Sequence, residues 1–600
     1  MCRYFFFAKH RAMKKPSIFF EEQLQEAETI VASTKKQISV ITIFRLVVFV
    51  LLFISAYAGI AHHFYWGISI VLFIGFLLLM KQHQKANKLL AYHQTKLNIC
   101  TAEKGVFYSK RNGEEHLIPE HNFAYDLDVF GAGSLFHVLN RTSNQIAEKK
   151  LAKMLLYPAL TEEQILAQQE TIKELSTLPD FMLKYRTLSA LSVQGNEQIN
   201  QFETWLNQPQ KLANKPWTIW AIWLTITATI TGIIASFTYG YFGLIIGAIL
   251  VNWFWVGMLL RYSNQTQTLA GKQRTRFEQF VSINTLVTGQ NFTGKQLADI
   301  KQNYQAGNEA INKLNKLMAT FDQRLNTMLG PILNSLFLFD VYCLWHIEKW
   351  KQQHGKTLLD WIQKNAEFEA GISLASYAYK HPHYIYPTLS RQPLTFKAED
   401  LAHPLIVSHK SVSNNFEYNQ LQKVFIITGS NMSGKSTFLR TVGLSILCGM
   451  IGLPVQAKSM EFSIVKILSA MRMADSLQSD TSYFYAELKR LKHIMDEIEL
   501  GDIPAVLFID EMLRGTNSGE KLEGSISIIR KLVNKKCVAF IATHDLALGK
   551  LAETFPTQVS NYAFESMIVN NEMVFDYKIK PQIAQSTNAT FLLKKMKIVD

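Results

Sequence analysis

Cysteine is scarce in this sequence and forms none of the usual paired motifs. The five cysteines (Cys2, Cys100, Cys343, Cys448 and Cys537) lie far apart in 600 residues, with no Cys-x-x-Cys pair and no histidine spacing suited to zinc. This argues against a structural zinc site and favours free thiols in a reducing compartment. Cys448 and Cys537 occupy apolar stretches, so we expect them to be buried.

Acidic residues are also in the minority, since 48 Asp and Glu stand against 62 Lys and Arg, a formal net charge of +14. The basic residues are spread along the chain, with modest excesses at 1–37 and 261–330, so nucleic acid and an anionic membrane surface fit this charge equally well. A signal-peptide core is lacking too, because Phe5-Phe6-Phe7 is too short a run. The length is sufficient for three or four domains.

Long hydrophobic runs, by contrast, are present in two pairs. The first pair, Val40 to Ile60 and Phe64 to Met80, is almost wholly apolar. The turn between the two runs has no Lys or Arg, whereas lysines flank their outer ends, so both ends are expected in the cytoplasm. We therefore predict a transmembrane hairpin at residues 38–80, preceded by a cytoplasmic segment at residues 1–37.

The second pair of runs is joined by only two residues. Trp217 to Ser236 and Tyr239 to Leu260 are long and apolar, with Lys and Arg outside their ends. A buried helix of a soluble core is the alternative for each run, but the length and the charge asymmetry favour a second transmembrane hairpin at residues 216–260. The protein is thus expected to be integral to a membrane, the cytoplasmic (inner) membrane, with both ends in the cytoplasm.

The regions around the hairpins have the apolar spacing of amphipathic helices. Thr142 to Leu156 and Glu162 to Leu178 carry leucine and isoleucine at intervals of three and four, and residues 262–352 continue the amphipathic pattern with few breakers. Residues 81–215 and 261–380 are therefore predicted to form a helical arm that leaves the body and returns. From Pro382 to Leu421 proline, histidine and asparagine become frequent and the helical pattern stops. Residues 381–600 are therefore predicted to form a separate domain.

That domain contains a glycine loop between a predicted strand and a predicted helix. The apolar, β-branched run Val424 to Thr428 leads into Gly429-Ser430-Asn431-Met432-Ser433-Gly434-Lys435-Ser436-Thr437, and an apolar-periodic segment follows. The pattern Gly-x-x-x-x-Gly-Lys-Ser turns backbone N–H groups toward phosphate oxygens, while Lys435 and the helix N-terminus supply positive charge. Ser436 is then placed to ligate Mg²⁺. A glycine-rich turn without a ligand is the alternative, and the strand-to-helix context favours a nucleotide site.

Two further strands end in polar residues. Ala505 to Ile509 leads into Asp510 and Glu511, which suits Mg²⁺ binding through water by Asp510 and orientation or deprotonation of an attacking water by Glu511. Cys537 to Ala542 leads to His544, which is placed to sense a γ-phosphate. Surface charge and a structural histidine are the alternatives for residues of these types.

Together these elements resemble the MutS family of ATPases, which have the ABC-type nucleotide-binding fold. The resemblance is carried by Thr428 to Thr437, by Ser482-Tyr-Phe-Tyr-Ala-Glu487, by Asp510-Glu-Met-Leu-Arg-Gly-Thr516 and by Ala542-Thr-His-Asp545. It covers the last 200 residues specifically, and residues of about 125–215 and 262–400 weakly. It implies an α/β ABC-type P-loop ATPase domain, an all-α lever domain, and ATP with Mg²⁺ as ligands.

The resemblance also implies a head-to-tail homodimer in which Ser482 of one chain completes the nucleotide site of the other. Ser433 and Leu513 stand where the family usually has glycine, and Asp480 adds negative charge near the predicted contact of Ser482. Only about 37 residues precede the first predicted span, so we expect the family's mismatch-reading domain to be lacking. The second hairpin falls where the family carries its DNA clamp, which suggests that membrane lipid replaces DNA there.

Two functions remain open at this point. In the first, the ATPase acts on DNA at the membrane through diffuse basic surface. In the second, nucleotide-driven opening and closing of the dimer moves the hairpins, as a membrane-coupled switch or transport-like motor with no role for DNA. A catalytically idle scaffold is a third alternative.

Overall fold

The computed structural model describes residues 15–105, 107–109, 111–192, 204–215, 217–240, 242–270, 274–406, 410–472, 483–569 and 572–585. The chain divides into two compact units, each built from several segments. The first comprises Met1–Lys104, Thr142–Glu148 and Leu178–Ala370, and the second comprises Gly105–Arg141, Lys149–Thr177 and Gly371–Asp600.

Helices account for most of the described residues. In chain order they are α1 Pro16–Ala61, α2 Phe64–Glu103, α3 Leu135–Leu139, α4 Gln145–Leu156, α5 Glu162–Ser176, α6 Pro179–Ser192, α7 Trp217–Tyr239, α8 Phe242–Ala270, α9 Arg274–Gly289, α10 Lys295–Phe321, α11 Leu329–Phe337, α12 Phe339–Lys380, α13 Lys435–Met450, α14 Tyr483–Leu500, α15 Ser518–Val533 and α16 Leu551–Thr554. The described regular structure of the first unit is entirely helical.

Four helices of the first unit, α1, α2, α7 and α8, are long and apolar enough to cross a membrane by length and composition. They extend past some of the apolar runs seen in the sequence: α1 starts at Pro16, which suits a first helical position because proline has no N–H to leave unpaired. Large apolar side chains such as Phe44, Leu224 and Phe254 are exposed along these helices. In α7, a Cβ added to Gly232 would lie 3.2 Å from the backbone of α8, so the two helices approach closely at this glycine.

One buried carboxylate holds the segment before α7 and the polar part of α8. Glu348, in α12, accepts hydrogen bonds from the backbone N–H groups of Lys211 (2.9 Å), Leu212 (2.7 Å) and Ala213 (2.7 Å). It also accepts one from the Tyr262 hydroxyl at 2.6 Å. The segment before α7 and the polar part of α8 are therefore held by the same side chain, which replaces the water those groups would otherwise need.

The second unit contains two sheets. Their strands are β1 Thr388–Leu389, β2 Phe396–Leu401, β3 Asn414–Tyr418, β4 Val424–Gly429, β5 Ser459–Phe462, β6 Lys466–Ala470, β7 Ala505–Asp510, β8 Cys537–Thr543, β9 Val559–Val569 and β10 Glu572–Lys580. The larger sheet has the order β10-β9-β4-β8-β7-β6, parallel except for β10, which pairs antiparallel with β9. The smaller sheet has the order β1-β5-β2-β3.

The core of the larger sheet explains why its central strands are so apolar. Every residue of β4 and β8 is buried, since helices or the smaller sheet cover both faces. Phe540 stacks between Phe425 and Phe508, with ring centroids 5.2 and 5.3 Å apart. Cys448 and Cys537 are buried, as expected from their apolar surroundings, and burial raises the pKa of each thiol to about 12. The strands β1 to β3 arise in the stretch where the sequence indicated only an end to helix.

Candidate nucleotide-binding site

Three adjacent parallel strands of the larger sheet bring the predicted site residues to one edge. Thr428 of β4 is in register with Thr543 of β8, and Asp510 of β7 is in register with Ala542. Because β8 lies between β4 and β7, the glycine loop, the two carboxylates and His544 all follow strand ends that are close in space. Ligands bind at such carboxyl edges in open α/β sheets.

The glycine loop depends on two glycines for different reasons. Gly429 has φ 150°, and an added Cβ would lie 2.5 Å from the carbonyl oxygen of Phe564 in β9. Gly434 has φ 108° and begins the turn into α13. Met432 has φ 67° and is 81% exposed, so it projects outward at the tip of the loop. The close approach at Gly429 makes any side chain there incompatible with the β4–β9 pairing.

Lys435, the first residue of α13, points back into the loop. Its Nζ donates hydrogen bonds to the carbonyl oxygens of Gly429 (2.8 Å) and Ser430 (2.7 Å), and the residue is buried. Burial lowers the pKa of Lys435 to about 8, although Asp510 and Glu511 act to raise it. The ammonium group is therefore held at the base of the loop, where an anionic ligand would regain the charge interactions that burial removes.

Ser436 and Asp510 face each other directly. The Ser436 hydroxyl donates a hydrogen bond of 2.5 Å to Asp510 Oδ2, joining the start of α13 to the end of β7. A hydroxyl and a carboxylate oxygen are donors that Mg²⁺ accepts, usually together with water and substrate phosphates. The pair therefore fits a magnesium site of the kind expected from the sequence.

Glu511 is held in a left-handed backbone conformation, with φ 62°, and its N–H donates to the carbonyl of Ala542 at 2.9 Å. Its carboxylate accepts from Lys521 Nζ at 3.0 Å and lies 3.4 Å from Arg514 Nε. Burial acts to raise the pKa of Glu511, but Lys521, Arg514 and His544 outweigh it and hold the pKa below its usual value. Glu511 is thus an ionised, oriented acceptor at the edge of the sheet.

His544 follows β8 at the same edge. Burial and the nearby Lys435 lower the pKa of His544, while Glu511 acts in the opposite direction. The imidazole is therefore neutral near pH 7 and can both donate and accept a hydrogen bond.

These groups line one cavity of about 720 Å³, a volume in the range of small-molecule sites. Its lining includes Asn431 to Thr437, Asp510, Glu511 and His544. Gly429 and Ser430 do not line it but accept hydrogen bonds from Lys435 through their carbonyls. Ser482, the predicted cross-subunit residue, lies outside the described residues. The cavity continues past the loop to side chains that the sequence did not single out as site residues: Val412, Asn414, Phe564 and Tyr577.

Glu487 also has a place in the site that its motif alone did not reveal. The buried carboxylate accepts hydrogen bonds from the backbone N–H groups of Leu513 (2.5 Å) and Arg514 (3.1 Å), just after Glu511. Leu513 has φ 55°, so this turn adopts a conformation that needs support. Phe484 packs nearby, since a Cβ added to Gly515 would lie 2.9 Å from Phe484 Cβ. The helix that starts at the predicted signature segment is thereby joined to the carboxylate turn.

This α/β domain, with its glycine loop and paired carboxylates, is of the class that binds nucleotides at a sheet edge. The family model described as MutS domain V matches residues 425–594. The C-terminal region of the chain belongs to the MutS family, as the sequence motifs indicated.

Similar proteins cover more of the chain than the family model does. This chain is 27% identical to the DNA mismatch repair protein MutS of Thermotoga neapolitana over 310 residues, and the matched part is 51% of this chain and 35% of that protein. It is 30% identical over 196 residues to MutS protein homolog 4 of Homo sapiens, which is 31% of this chain and 20% of that protein. The MutS protein of Thermotoga maritima is 27% identical over 303 residues, 50% of this chain and 34% of its own length. The chain thus spans about a third or less of the length of these relatives.

Proposed function

We propose that this protein is a membrane-anchored MutS-type ATPase that binds ATP with Mg²⁺ and hydrolyses it in a head-to-tail homodimer. The observation that carries the proposal is the convergence of Lys435, Ser436, Asp510 and Glu511 on one cavity at the carboxyl edge of a parallel sheet. A glycine-rich turn with a structural role alone would not need a buried lysine and two carboxylates directed at the same space.

Each group has a role that its surroundings support. The loop N–H groups and Lys435 would bind the phosphates of ATP, and Ser436 with Asp510 would hold Mg²⁺, which would supply charge stabilisation for phosphoryl transfer. Glu511 orients the attacking water and accepts its proton, and the lowered pKa keeps the carboxylate in the ionised form that this role requires. His544 hydrogen-bonds the terminal phosphate as a neutral imidazole.

The catalytic assignment is tested by Glu511→Gln in the purified full-length protein. We expect ATP turnover to fall by about 100-fold or more, the size typical of losing a general base, with little change in ATP affinity. Glu523→Gln, an exposed carboxylate in α15, is the matched control and should leave turnover unchanged. Turnover by Glu511→Gln at the wild-type rate would show that the catalytic assignment is wrong.

The MutS relationship supports the homodimer and the cross-subunit role of Ser482. ATP bound but not hydrolysed, as in Glu511→Gln, should favour the dimer, and Ser482→Ala should reduce turnover without preventing ATP binding by one chain. Light scattering in detergent with and without ATP measures the first expectation. A dimer population that ATP leaves unchanged in Glu511→Gln, with normal turnover by Ser482→Ala, would contradict the cross-subunit site.

The membrane anchor is supported by the four long apolar helices and their exposed apolar side chains. Helices with this much exposed apolar surface are stabilised by lipid and not by water. We propose that α1, α2, α7 and α8 cross the cytoplasmic membrane as two hairpins, with the ATPase domain in the cytoplasm. Carbonate extraction of native membranes should leave the protein in the pellet; release into the supernatant would contradict the anchor.

Two candidate functions remain for the ATPase: action on DNA at the membrane, and a membrane-coupled switch with no role for DNA. The MutS relationship and the +14 charge support action on DNA at the membrane. Glu348 supports the alternative, because it ties the segment before α7 and the polar part of α8 to the long helix α12. Retention of duplex DNA by the detergent-solubilised protein at low salt, lost as salt rises, would favour the first. No retention together with lipid-stimulated turnover would favour the second.

A further inference from the structure

The short helix α11 has an apolar surface that faces away from the protein. From Leu325 to Phe339 the chain has no Asp, Glu, Lys, Arg or His. Five large apolar side chains in α11 and just before it are exposed, with Met328 77% and Ile332 53% exposed, and we call them the outer face. The outer face consists of Leu325, Met328, Leu329, Ile332 and Phe337. An amphipathic helix in water would place polar residues on such a face.

The contacts of α11 place it at the middle of the second pair of long helices. The buried amide of Asn252, in α8, donates to the carbonyl oxygen of Ser335 at 2.7 Å and to Thr229 Oγ1 of α7 at 3.2 Å. At about 1.5 Å per residue, Asn252 lies roughly 15 Å along α8 from its first residue, half of a hydrocarbon layer of about 30 Å. The Trp253 indole N–H also donates to Ser335 Oγ, at 2.9 Å.

Three polar side chains in or near α11 are turned inward and paired with one another. Asn334 exchanges two hydrogen bonds with Asp340, donating from Nδ2 to Oδ1 at 3.1 Å and accepting from the backbone N–H at 2.9 Å. Arg324 Nε donates to Asp340 Oδ2 at 2.8 Å, and both side chains are buried. The guanidinium also reaches Asn264 at 3.0 Å. Charged groups within a membrane require such pairing, and none of these contributes to the outer face.

We propose that α11 enters the bilayer beside α7 and α8 as a re-entrant helix whose outer face contacts lipid acyl chains. The proposal rests on the membrane insertion of α7 and α8 proposed above. Nine residues span only about 14 Å, so α11 cannot cross. The chain instead reverses at Leu338, with φ 49°, and returns through α12. Non-helical backbone at this depth is covered by protein on its inner side, as a membrane interior requires.

Lipid suits the outer face better than a second protein surface. The stretch of α8 that binds Ser335 also exposes Leu250 and Phe254, so the proposed span presents apolar surface at the same level as α11. A protein partner would be expected to meet polar or charged residues around such a patch. The exposed polar side chains beside α11, Asn326 and Thr327, lie only before the helix, and no charged residue lies between Leu325 and Phe339, so such a rim is incomplete.

The test uses the full-length protein in phosphatidylcholine vesicles with a fluorescent label on a single introduced cysteine. Ile332→Cys reports on the outer face, Leu250→Cys on the proposed span, and Lys316→Cys, an exposed position in α10, on water. The unmodified protein, in which the described cysteines are buried, gives the labelling background. We expect lipid carrying a mid-chain nitroxide to quench the label at 332 at least half as strongly as at 250, and to leave 316 bright.

Three results would contradict the proposals in distinguishable ways. Strong quenching at 250 without quenching at 332 would overturn the re-entrant helix and leave the membrane anchor standing. If aqueous iodide quenched the label at 332 as strongly as the label at 316, while the label at 250 stayed protected, water would be shown at the outer face. This result would also overturn the re-entrant helix and leave the membrane anchor standing. No lipid quenching at either 250 or 332 would show that the proposed insertion itself is wrong.

Discussion

The link between Glu487 and the turn after Glu511 gives a prediction that can be worked out from distances. In Glu487→Gln, one carboxylate oxygen becomes an NH₂ group, which cannot accept from the N–H of Leu513 or Arg514. One of the two bonds, at 2.5 and 3.1 Å, is therefore lost and a buried backbone donor is left unpaired. Such a group costs about 1–3 kcal/mol.

The loss should be felt at the catalytic carboxylate because the turn is continuous with it. Glu511 and Leu513 both have positive φ, at 62° and 55°, and the backbone relaxes toward ordinary conformations when its support is removed. If the full 1–3 kcal/mol appears in the activation barrier, turnover falls by roughly 5- to 150-fold. ATP affinity should change little, because Lys435 and the glycine loop are not part of this contact.

Two measurements on Glu487→Gln separate this mechanism from general destabilisation. Steady-state turnover and ATP affinity give the kinetic effect, and hydrogen exchange of the amides of residues 513 and 514 gives the local one. At least one of the two amides should lose protection even without ATP. Asp496→Asn, an exposed carboxylate on the same helix, is the control for charge and should change neither. Unchanged amide protection in Glu487→Gln would refute the reasoning whatever the turnover.

Two further predictions concern stability. Gly429→Ala should lower the free energy of unfolding by about 3 kcal/mol or more and abolish ATP binding, because its Cβ would lie 2.5 Å from a backbone oxygen of β9. Gly519→Ala is the control and should be neutral, because its Cβ meets nothing closer than 3.6 Å. Equal melting temperatures for the two variants would contradict this account. Burial lowers the pKa of His403 to about 4, from about 6.5 in the unfolded chain. Between these two values the unfolded chain binds a proton that the folded protein does not, so the free energy of unfolding falls by about 3 kcal/mol as the pH drops from above 6.5 to 4. Urea denaturation at pH 7 and pH 4.5 should therefore show a smaller loss in His403→Gln than in the wild type, and identical losses would contradict the prediction.

The sequence predicted those parts of the site that local chemistry determines. A Gly-x-x-x-x-Gly-Lys-Ser loop after a β-branched strand has few alternatives, and two carboxylates after an apolar strand belong at a sheet edge, so Gly429 to Thr437, Asp510, Glu511 and His544 could be singled out before any geometry was known. The apolar runs likewise indicated the four long helices, because length and composition alone define them. The roles of these residues, and the predicted domain boundaries, remain predictions.

Contacts between segments that are distant in the chain could not be predicted from local sequence patterns. Glu487 was visible in a motif, but its bonds to Leu513 and Arg514 depend on how α14 packs against the end of β7. Tyr577 lines the cavity because β10 folds back on β9, and no local pattern at residues 572–580 indicates that. The helix α11 was missed because nine residues are too few for a hydropathy signal, although the absence of charge from Leu325 to Phe339 could have drawn attention to it.

The strand order of the larger sheet also has a consequence for synthesis. The glycine loop and the two carboxylates leave the ribosome well before β8, yet β8 is the strand that lies between β4 and β7. A nascent chain that ends at residue 536 contains every loop residue and both carboxylates but lacks the strand that holds Ser436 beside Asp510. Ligand-dependent protection of ribosome-bound chains should therefore begin only after residues 537–543 have emerged, so the site matures at a late and defined point of translation.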